Sequence, residues 1–356
     1  MDIFSAFIIT FLPFFVLMGY WLKNVRQRDI IPMSKRVIIS FVIVITLCIG
    51  LYPIKEYSDK ERYYHFYMNV YNGFYKGEYK DGGWQTFVTI CTQVFQKYYN
   101  LFFLFVSFIY TFSYYIFAKH QFGKKYMGYL IIMAFGCLGF SGYGTNVIRS
   151  GLALGLLLLS LSFQGKKYLK VLLVLISLSV HLSMILPIGV YLITTKLKKD
   201  YIAYTVWITC LALSVLNVDL SSYIEELMFV DQRVDAYINM VEEGYNAGFR
   251  IDFLIYSVIP IIVSYHYKKF GYTSSQLYTQ LYRTYIITNG LWLLVIRMAF
   301  TNRIAYLSWM IIPYIVLYPI IENSDKIKNP LKSIYSVMAL FMGVSLILSI
   351  RDLFFR

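Results

Sequence analysis

The feature that most constrains this chain is a series of long apolar segments separated by short basic ones. Runs of about 18 or more apolar residues with few charges are typical of membrane-spanning helices. Hydrophobic residues make up 58% of the 356 residues and charged residues only 15%, whereas soluble domains carry about 25% charged residues. A water-soluble fold of this length could not bury so much apolar surface. We therefore predict an all-α polytopic membrane protein with spans near 3–22, 36–54, 100–118, 126–141, 147–164, 169–195, 201–218, 251–267, 284–300, 304–321 and 333–350.

The basic residues indicate how these spans are oriented. The formal net charge is +14, and the lysines and arginines cluster in short connections at 23–36, 119–125 and 166–170. Cytoplasmic loops of membrane proteins carry an excess of such residues. Alternating spans place these three connections on one side, which we predict to be the cytoplasm. The positive charge is therefore explained by topology, and nucleic-acid binding is not predicted.

Segment 169–195 requires a special interpretation. If it were one span, the lysines at 196–199 would face the exterior, against the charge rule. Its middle holds His181 and Ser183, followed by Pro187, and polar residues with a proline suit an interrupted helix. We predict a broken helix hairpin of about 169–181 and 183–195.

With the hairpin, the lysines at 196–199 return to the cytoplasm and both chain termini lie outside. The fold expected is then a single integral membrane domain over 1–356 with about 11–12 transmembrane helices. Two longer loops, at 55–99 and 219–249, are expected at the outer face.

This topology brings several charged side chains to the outer face: Arg149, His181, Arg250, Arg297 and Arg303. Charged residues at depth cost about 2.5–3.5 kcal/mol each on insertion scales, so they usually face a wet cavity or the protein interior. The planar arginine fork suits phosphate. The arginines therefore predict a site for a phosphate-bearing lipid ligand, although an arginine near a span end, above all Arg250, also snorkels to headgroups. His181 is either a general base or a hydrogen-bonded histidine at a helix end.

The outer segment 55–99 alternates carboxylates with tyrosines and ends its polar part at Trp84. Aromatic faces stack on sugar rings, and carboxylates accept hydrogen bonds from sugar hydroxyls, so a carbohydrate-binding surface is one interpretation. A tyrosine-rich amphipathic helix at the membrane interface is the other, and the two are compatible. The residues concerned include Asp59, Glu61, Tyr63, Glu78, Asp81 and Trp84.

Several sequence motifs are absent. The chain has no GxxxxGK[ST], no GxGxxG after a strand, no HExxH and no His/Cys cluster at metal-ligand spacing, so nucleotide-driven or metal-dependent chemistry is not predicted. The four cysteines show no CxxC spacing, and a disulfide is not expected.

Short motifs suggest a family. Residues Asn146–Val–Ile–Arg149–Ser–Gly–Leu–Ala153, a basic turn at 166–167 and His181–Leu–Ser183 resemble the EpsG-like branch of the O-antigen polymerase (Wzy) proteins. Those proteins show an Arg-x-x-[small]-Ala helix opening and a later His-x-Ser element. GFRIDFLIYS at 248–257 and NRIAYLSWMIIP at 302–313 add to the resemblance. Ser150 stands where Gln is common, so no role of that Gln is carried over.

The resemblance implies a metal-independent glycosyltransferase without cofactor in the bacterial cytoplasmic membrane, with its active site facing the exterior. Such an enzyme transfers a growing glycan from undecaprenyl pyrophosphate to a repeat unit on the same lipid. Its partners would be these lipid-linked glycans, the bilayer and a chain-length regulator protein. The open alternatives are a flippase for lipid-linked oligosaccharides, an O-antigen ligase and a membrane O-acyltransferase of glycans.

The same resemblance implies roles for individual residues. Arginines would hold the pyrophosphate, and a base would deprotonate the acceptor hydroxyl. We predict His181 as that base, with Glu78, Asp59 or Asp252 as substitutes. The candidate catalytic residues are His181, Arg149 and Glu78, and the candidate substrate-binding residues are Arg250, Arg297, Arg303, Asp59, Tyr63, Trp84 and Asp252.

Overall fold

The computed structural model describes residues 2–24, 26–75, 77, 81–163, 165–218, 248–271, 275–298 and 301–354. This part of the chain is helical or irregular and contains no strand, which confirms the all-α prediction. The helices are α1 (Asp2–Asn24), α2 (Lys35–Gly50), α3 (Asp59–Tyr71), α4 (Gly82–Phe95), α5 (Tyr99–Gly136), α6 (Phe140–Thr145), α7 (Ile148–Ser162), α8 (Lys167–Val180), α9 (Ile185–Thr194), α10 (Tyr201–Val215), α11 (Ile251–Lys269), α12 (Gln276–Leu293), α13 (Asn302–Trp309), α14 (Ile312–Glu322) and α15 (Pro330–Phe354).

Apolar helices long enough to cross a bilayer are present. Three described helical stretches are long enough and apolar enough to cross a bilayer, namely Tyr99–Gly136, Asn302–Glu322 and Pro330–Ile350. Shorter apolar helices cover Ile8–Asn24, Ile148–Ser162, Leu182–Thr194 and Tyr201–Val215. The chain is thus a multi-pass membrane protein, and the predicted number of crossings stays a prediction.

The chain divides into two compact units. The first contains Met1–Leu182 and Ser324–Arg356, and the second contains Ser183–Asn323. The predicted helix break lies at this division. The helix ends at Val180, His181 has extended backbone (φ −154°, ψ 113°), and a short 3₁₀ turn at Leu182–Met184 precedes α9. The break in segment 169–195 is therefore confirmed, whereas the reversal of direction into a hairpin stays a prediction, as does a single domain.

In the first unit, α5 is a helical hairpin, not one straight helix. Gly123 interrupts it with a positive φ of 65°, a conformation that glycine adopts without strain. The rings of Tyr114 and Phe135 lie 6.2 Å apart, and those of Tyr110 and Phe140 lie 5.0 Å apart. Residues on either side of Gly123 therefore pair in reverse order. The predicted spans 100–118 and 126–141 are the two arms of this hairpin.

The basic connections of the first unit meet at one end of its helices. Contacts join the connection between α1 and α2, the turn of α5, the end of α7 and the start of α15. They are the Leu331 N–H to the Arg28 oxygen at 3.4 Å, the Tyr129 hydroxyl to the Ile31 oxygen at 2.7 Å, and the rings of His120 and Phe163 at 6.2 Å. The shared end agrees with the charge rule that predicts a single cytoplasmic side for these connections.

The segment 55–99, which we predicted as a loop, contains two helices. Ser58 caps α3 by accepting from the Glu61 N–H, which satisfies an otherwise unpaired donor. The helical part of the amphipathic-helix alternative is therefore confirmed for α3, whereas a position at the membrane interface stays a prediction. The apolar helix α4 follows and was not predicted. It packs on α3, α5 and α8. The other predicted outer loop, 219–249, falls almost wholly outside the described residues.

In the second unit, α12 is the central helix and contacts α9, α10, α11, α13 and α14. Its buried Asn289 accepts from the Trp207 indole N–H at 3.0 Å and donates to Ser257 at 3.1 Å and Ser308 at 3.2 Å. The predicted span 284–300 is shifted, because α12 begins at Gln276 and ends at Leu293.

Candidate functional site

The antiparallel pair α7 and α8 brings two predicted site residues to the same level. Arg149 lies in the first turn of α7, and His181 directly follows α8. The Ser177 hydroxyl donates to the Ala153 carbonyl oxygen at 2.6 Å. Since Ala153 is four residues after Arg149 and Ser177 is four residues before His181, this bond sets the register of the two helices. Arg149 and His181 therefore share the end opposite the basic connections.

Asp81, at the start of α4, binds both of these residues. Its Oδ2 lies 2.8 Å from an Arg149 Nη atom and 3.4 Å from the His181 Nδ1, and its Oδ1 accepts from the Leu182 N–H at 3.2 Å. The Arg149 and Asp81 side chains are each 6% exposed, and His181 is 19% exposed. We call Asp81, Arg149 and His181 the Asp81 cluster. A histidine that shares a carboxylate with a buried cation is an arrangement suited to proton transfer.

Small residues allow Asp81 to reach this position. Gly83 lies so close to Ser179 of α8 that a side chain there would overlap it, and Gly151 lies equally close to the Tyr143 carbonyl. Glycine is therefore required at Gly83 for α4 to approach α8. Gly151 likewise permits the close approach of α7 to the Tyr143 backbone of α6.

The electrostatics of the cluster favour an ionised Asp81. Burial alone would raise the pKa of its carboxyl group, but the hydrogen bond with His181 and the charge of Arg149 outweigh burial and lower the pKa. An ionised carboxylate only accepts hydrogen bonds. The proton in the contact therefore belongs to the His181 Nδ1, which leaves Nε2 unprotonated in the neutral ring.

Asp59, Tyr63 and Trp84 are packed inside the first unit. Their exposures are 4%, 5% and 0%, and the rings of Tyr63 and Trp84 meet edge to face at 5.4 Å. These residues face protein, so they present no open platform for a sugar in this state, and their predicted role in glycan binding stays a prediction. The Asp59 N–H donates to the Asn146 side-chain oxygen at 2.9 Å, which ties α3 to the segment just before Arg149.

Lys60 anchors α3 to the end of α2. It is 2% exposed, and its Nζ donates to the carbonyl oxygens of Gly50, at 3.1 Å, and of Tyr52. These carbonyls lack helical partners, and cations bind favourably at such helix ends. Burial lowers the pKa of Lys60 to about 7. The start of α3 is therefore fixed by a buried amine.

In the second unit, the predicted residues gather around the start of α11. Arg250 donates from Nε and Nη2 to both carboxylate oxygens of Asp252, at 2.9 and 2.7 Å, and its Cζ lies 3.6 Å from the Phe253 ring centre. The Arg297 Cζ lies 5.0 Å from the ring centre of Phe249. We call Phe249, Arg250, Asp252 and Arg297 the Arg250 cluster.

Arg297 differs in one respect from its expected position. We predicted it inside a span, but α12 ends at Leu293 and Arg297 lies exposed in the following turn. Arg303 lies in the first turn of α13. Glu78, the third predicted catalytic residue, lies outside the described residues.

Asp81 is the functional candidate that sequence analysis missed. We noted its carboxylate only as one of several in the outer segment. The available signal was its place directly before Gly82–Gly83, because small residues at a helix start permit a close approach between helices.

These observations define an all-helical multi-pass membrane protein with a buried carboxylate–histidine–arginine cluster at one end of its helices. The family model of the EpsG family matches residues 35–354, and the chain belongs to that family. The resemblance noted in the sequence is thereby confirmed. No curated protein and no solved structure matches the chain.

Proposed function

We propose that this protein is a polysaccharide polymerase that transfers a growing glycan from undecaprenyl pyrophosphate to a lipid-linked repeat unit. Membership of the EpsG family supports a polymerase-type function. The observation that carries the proposal is the Asp81 cluster, which places a histidine and an arginine at the helix ends opposite the basic connections.

The lengths of α7 and α8 suggest the depth of the cluster. These helices have 15 and 14 residues, which corresponds to about 21–23 Å at 1.5 Å per residue. The hydrocarbon core of a bilayer is about 30 Å thick. If the basic ends lie at the cytoplasmic surface, the Asp81 cluster lies about 7–9 Å below the outer boundary. The Asp81 cluster would then lie in the outer third of the bilayer, on the side where the proposed reaction takes place.

In the proposed reaction, the His181 Nε2 removes the proton from an acceptor sugar hydroxyl. The hydroxyl oxygen forms a bond to the anomeric carbon of the donor glycan, and the bond from that carbon to the pyrophosphate oxygen breaks. The electron pair leaves with undecaprenyl pyrophosphate, and the proton remains on His181. The products are a longer glycan on the acceptor lipid and a free lipid pyrophosphate.

The arginines would stabilise the leaving group. Fixed cations aimed at developing negative charge are effective in sites shielded from water. In the second unit, the Arg250 cluster lies at the N-terminal end of α11, whereas Lys268 and Lys269 lie at its other end. Arg250 is held by both carboxylate oxygens of Asp252, as Arg149 is held by Asp81, whereas Arg297 is exposed. We propose Arg297, together with Arg250 and Arg303, as pyrophosphate-binding residues of the second unit, and Arg149 as a residue that acts within the Asp81 cluster.

Complementation of a deletion strain tests this function. We expect His181→Ala to insert normally and to yield only single repeat units on the outer surface. His120→Ala, which alters a histidine at the basic end beside Phe163, is the matched control and should give long chains. Long chains from the His181→Ala strain would contradict the proposal.

The same strains separate the rival functions. Loss of a flippase would leave the repeat units on the inner leaflet, and loss of an acyltransferase would change acylation without changing chain length. Loss of a ligase would leave long chains that are not joined to their final acceptor. Chemical analysis of the glycan together with impermeant labelling of surface sugars therefore distinguishes all four functions.

Labelling of single cysteines tests the proposed orientation. Tyr57 is 91% exposed before α3, and Lys124 is exposed in the turn of α5. We expect an impermeant thiol reagent applied outside to label Tyr57→Cys and not Lys124→Cys. The reverse pattern would place the Asp81 cluster on the cytoplasmic side and contradict the proposed reaction.

A further inference from the structure

We propose that Asp81 is the positioning residue that holds His181 in the tautomer with its proton on Nδ1, so that Nε2 is the atom that accepts the proton of the sugar hydroxyl. This inference rests on the proposed function, since it concerns the same site. Neither the family match nor the sequence motifs assign a role to Asp81.

The first step is the two-point contact between Asp81 and the His181 segment. One carboxylate oxygen faces the His181 Nδ1 at 3.4 Å, and the other accepts from the Leu182 N–H at 3.2 Å. His181 lies beyond the last turn of α8 in extended backbone, so the helix itself does not fix its ring. The carboxylate restrains both the ring and the adjacent peptide group.

The second step is the ionisation of Asp81. The charged group that faces it from α7 is Arg149, at 2.8 Å, and the titratable group that follows α8 is His181. A cation at this distance favours the ionised carboxylate. An ionised carboxylate cannot donate to Nδ1, so the contact with His181 requires a proton on that nitrogen.

The third step is the rigidity of the group that carries Asp81. The backbone N–H of Trp84 donates to the backbone carbonyl oxygen of Asp81 at 3.0 Å, and Gly83 packs against Ser179. The buried Trp84 ring fixes α4 to α3 through Tyr63. The backbone of Asp81 is thus fixed by α4, while its side chain contacts Arg149 of α7 and His181 at the end of α8. A carboxylate held in this way can orient a histidine for general base catalysis.

The consequence concerns a single substitution that preserves shape. In Asp81→Asn, an amide nitrogen in the place of Oδ2 would face the Arg149 guanidinium, and one in the place of Oδ1 would face the Leu182 N–H. Either arrangement sets two donors against each other and removes the anion that requires a proton on the His181 Nδ1. The ring proton is then no longer held on Nδ1, and Nε2 is lost as a fixed base. We expect the rate of chain elongation to fall by ~100-fold or more with little change in the apparent KM for the lipid-linked unit, as in catalytic triads whose orienting carboxylate is lost.

The experiment uses the full chain in lipid nanodiscs with ¹⁵N-labelled histidine, and His181→Gln assigns the His181 signals. In the unaltered protein we expect the pattern of a protonated Nδ1 and an unprotonated Nε2, and in Asp81→Asn we expect that pattern to be lost, with ring proton density on Nε2. Asp81→Glu should retain the original pattern and part of the rate. Asp200→Asn, which also removes a carboxylate bound by an arginine, Arg283, should change neither.

The outcomes separate this inference from the proposed function. A bare Nδ1 in the unaltered protein overturns the inference, whether or not any variant folds. An unchanged His181 pattern and rate in Asp81→Asn also overturns it, while elongation by the unaltered protein leaves the proposed function in place. If the unaltered protein does not elongate glycan but shows the expected tautomer, the proposed function fails and the positioning role of Asp81 stands as a structural fact.

Discussion

The pair of Arg149 and Asp81 offers a test in which stability and function separate. Replacing Arg149 by alanine leaves an ionised carboxylate in a place where both side chains are 6% exposed. Breaking a buried ion pair in this way costs about 3–5 kcal/mol. We therefore expect Arg149→Ala to lower the melting temperature in detergent clearly and to abolish long-chain glycan.

The double variant Arg149→Met with Asp81→Asn removes both charges. Replacement of a whole buried pair by uncharged residues is often neutral or stabilising, so the double variant should recover most of the lost stability. It should remain inactive, because both the cation and the carboxylate are missing. The coupling free energy from the melting curves of the unaltered protein, Arg149→Met, Asp81→Asn and the double variant should reach about 2–3 kcal/mol, at the upper end for groups in direct contact.

The assay combines fluorescence-detected melting of the purified variants with gel analysis of glycan length in complemented cells. Arg149→Lys is the matched control, because it keeps the positive charge and loses the planar guanidinium group. We expect its melting temperature to be closer to that of the unaltered protein and its glycan chains to be short. The reasoning would be refuted if the free energy of unfolding of Arg149→Ala lay within about 0.5 kcal/mol of that of the unaltered protein, or if that variant made chains of normal length.

Three further predictions concern the packing around the two units. Lys60 has a pKa of about 7 in the folded chain, against an ordinary value of 10.5. Between these pH values the unfolded chain binds more protons than the folded chain, so the free energy of unfolding should rise by about 2 kcal/mol from pH 7 to pH 9. Melting curves of Lys60→Met should lack this rise. Gly83→Val should push α4 away from Ser179 and reduce glycan length together with stability, whereas Gly82→Val, at a position with open space around it, should have little effect in the same two assays. Arg283→Met leaves Asp200 with Lys268 as its remaining ion-pair partner. Burial alone would raise the pKa of Asp200, but these two partners hold it below its ordinary value. The variant should therefore lower the melting temperature most at neutral pH, and less as acid protonates Asp200.

The points at which the apolar segments break could be predicted from sequence because their determinants are local. The break at His181 follows from misplaced lysines at 196–199 and from polar residues in an apolar segment, and the structure confirms it. The turn near Gly123 follows from the lysines around it. Apolar run length and loop charge each depend on a short stretch of chain, so no knowledge of tertiary contacts is needed.

Of the two helices between 55 and 99, α3 was predicted only as one alternative and α4 was missed, for a physical reason. Neither α3, with 13 residues, nor α4, with 14 residues, approaches the length of about 20 that marks a membrane span. The many tyrosines and carboxylates of α3 suggested a loop or an interfacial helix. Because α4 begins at two glycines, its start carried a weak helix signal.

The chemistry of the site could be predicted only in part. Arg149 and His181 were predicted together because alternating spans were expected to bring both to the same end of the helices. Their link through Asp81 joins positions 68 and 100 residues apart in the chain, and only the packing of α4 against α8 creates it. Similarly, the position of Arg297 depends on where α12 ends, and a hydropathy pattern locates helix ends poorly.

The most direct test of the central claim is elongation of a lipid-linked repeat unit by the purified protein. Proteoliposomes would receive a synthetic polyprenyl-pyrophosphate oligosaccharide in the presence of EDTA and without any nucleotide sugar, and the products would be measured by mass spectrometry. The account predicts a ladder of glycans that differ by one repeat unit, with one free polyprenyl pyrophosphate released for each bond formed and no ladder from His181→Ala. An unaltered protein that leaves this substrate at a single repeat unit, yet elongates when a nucleotide sugar is supplied, would contradict the account.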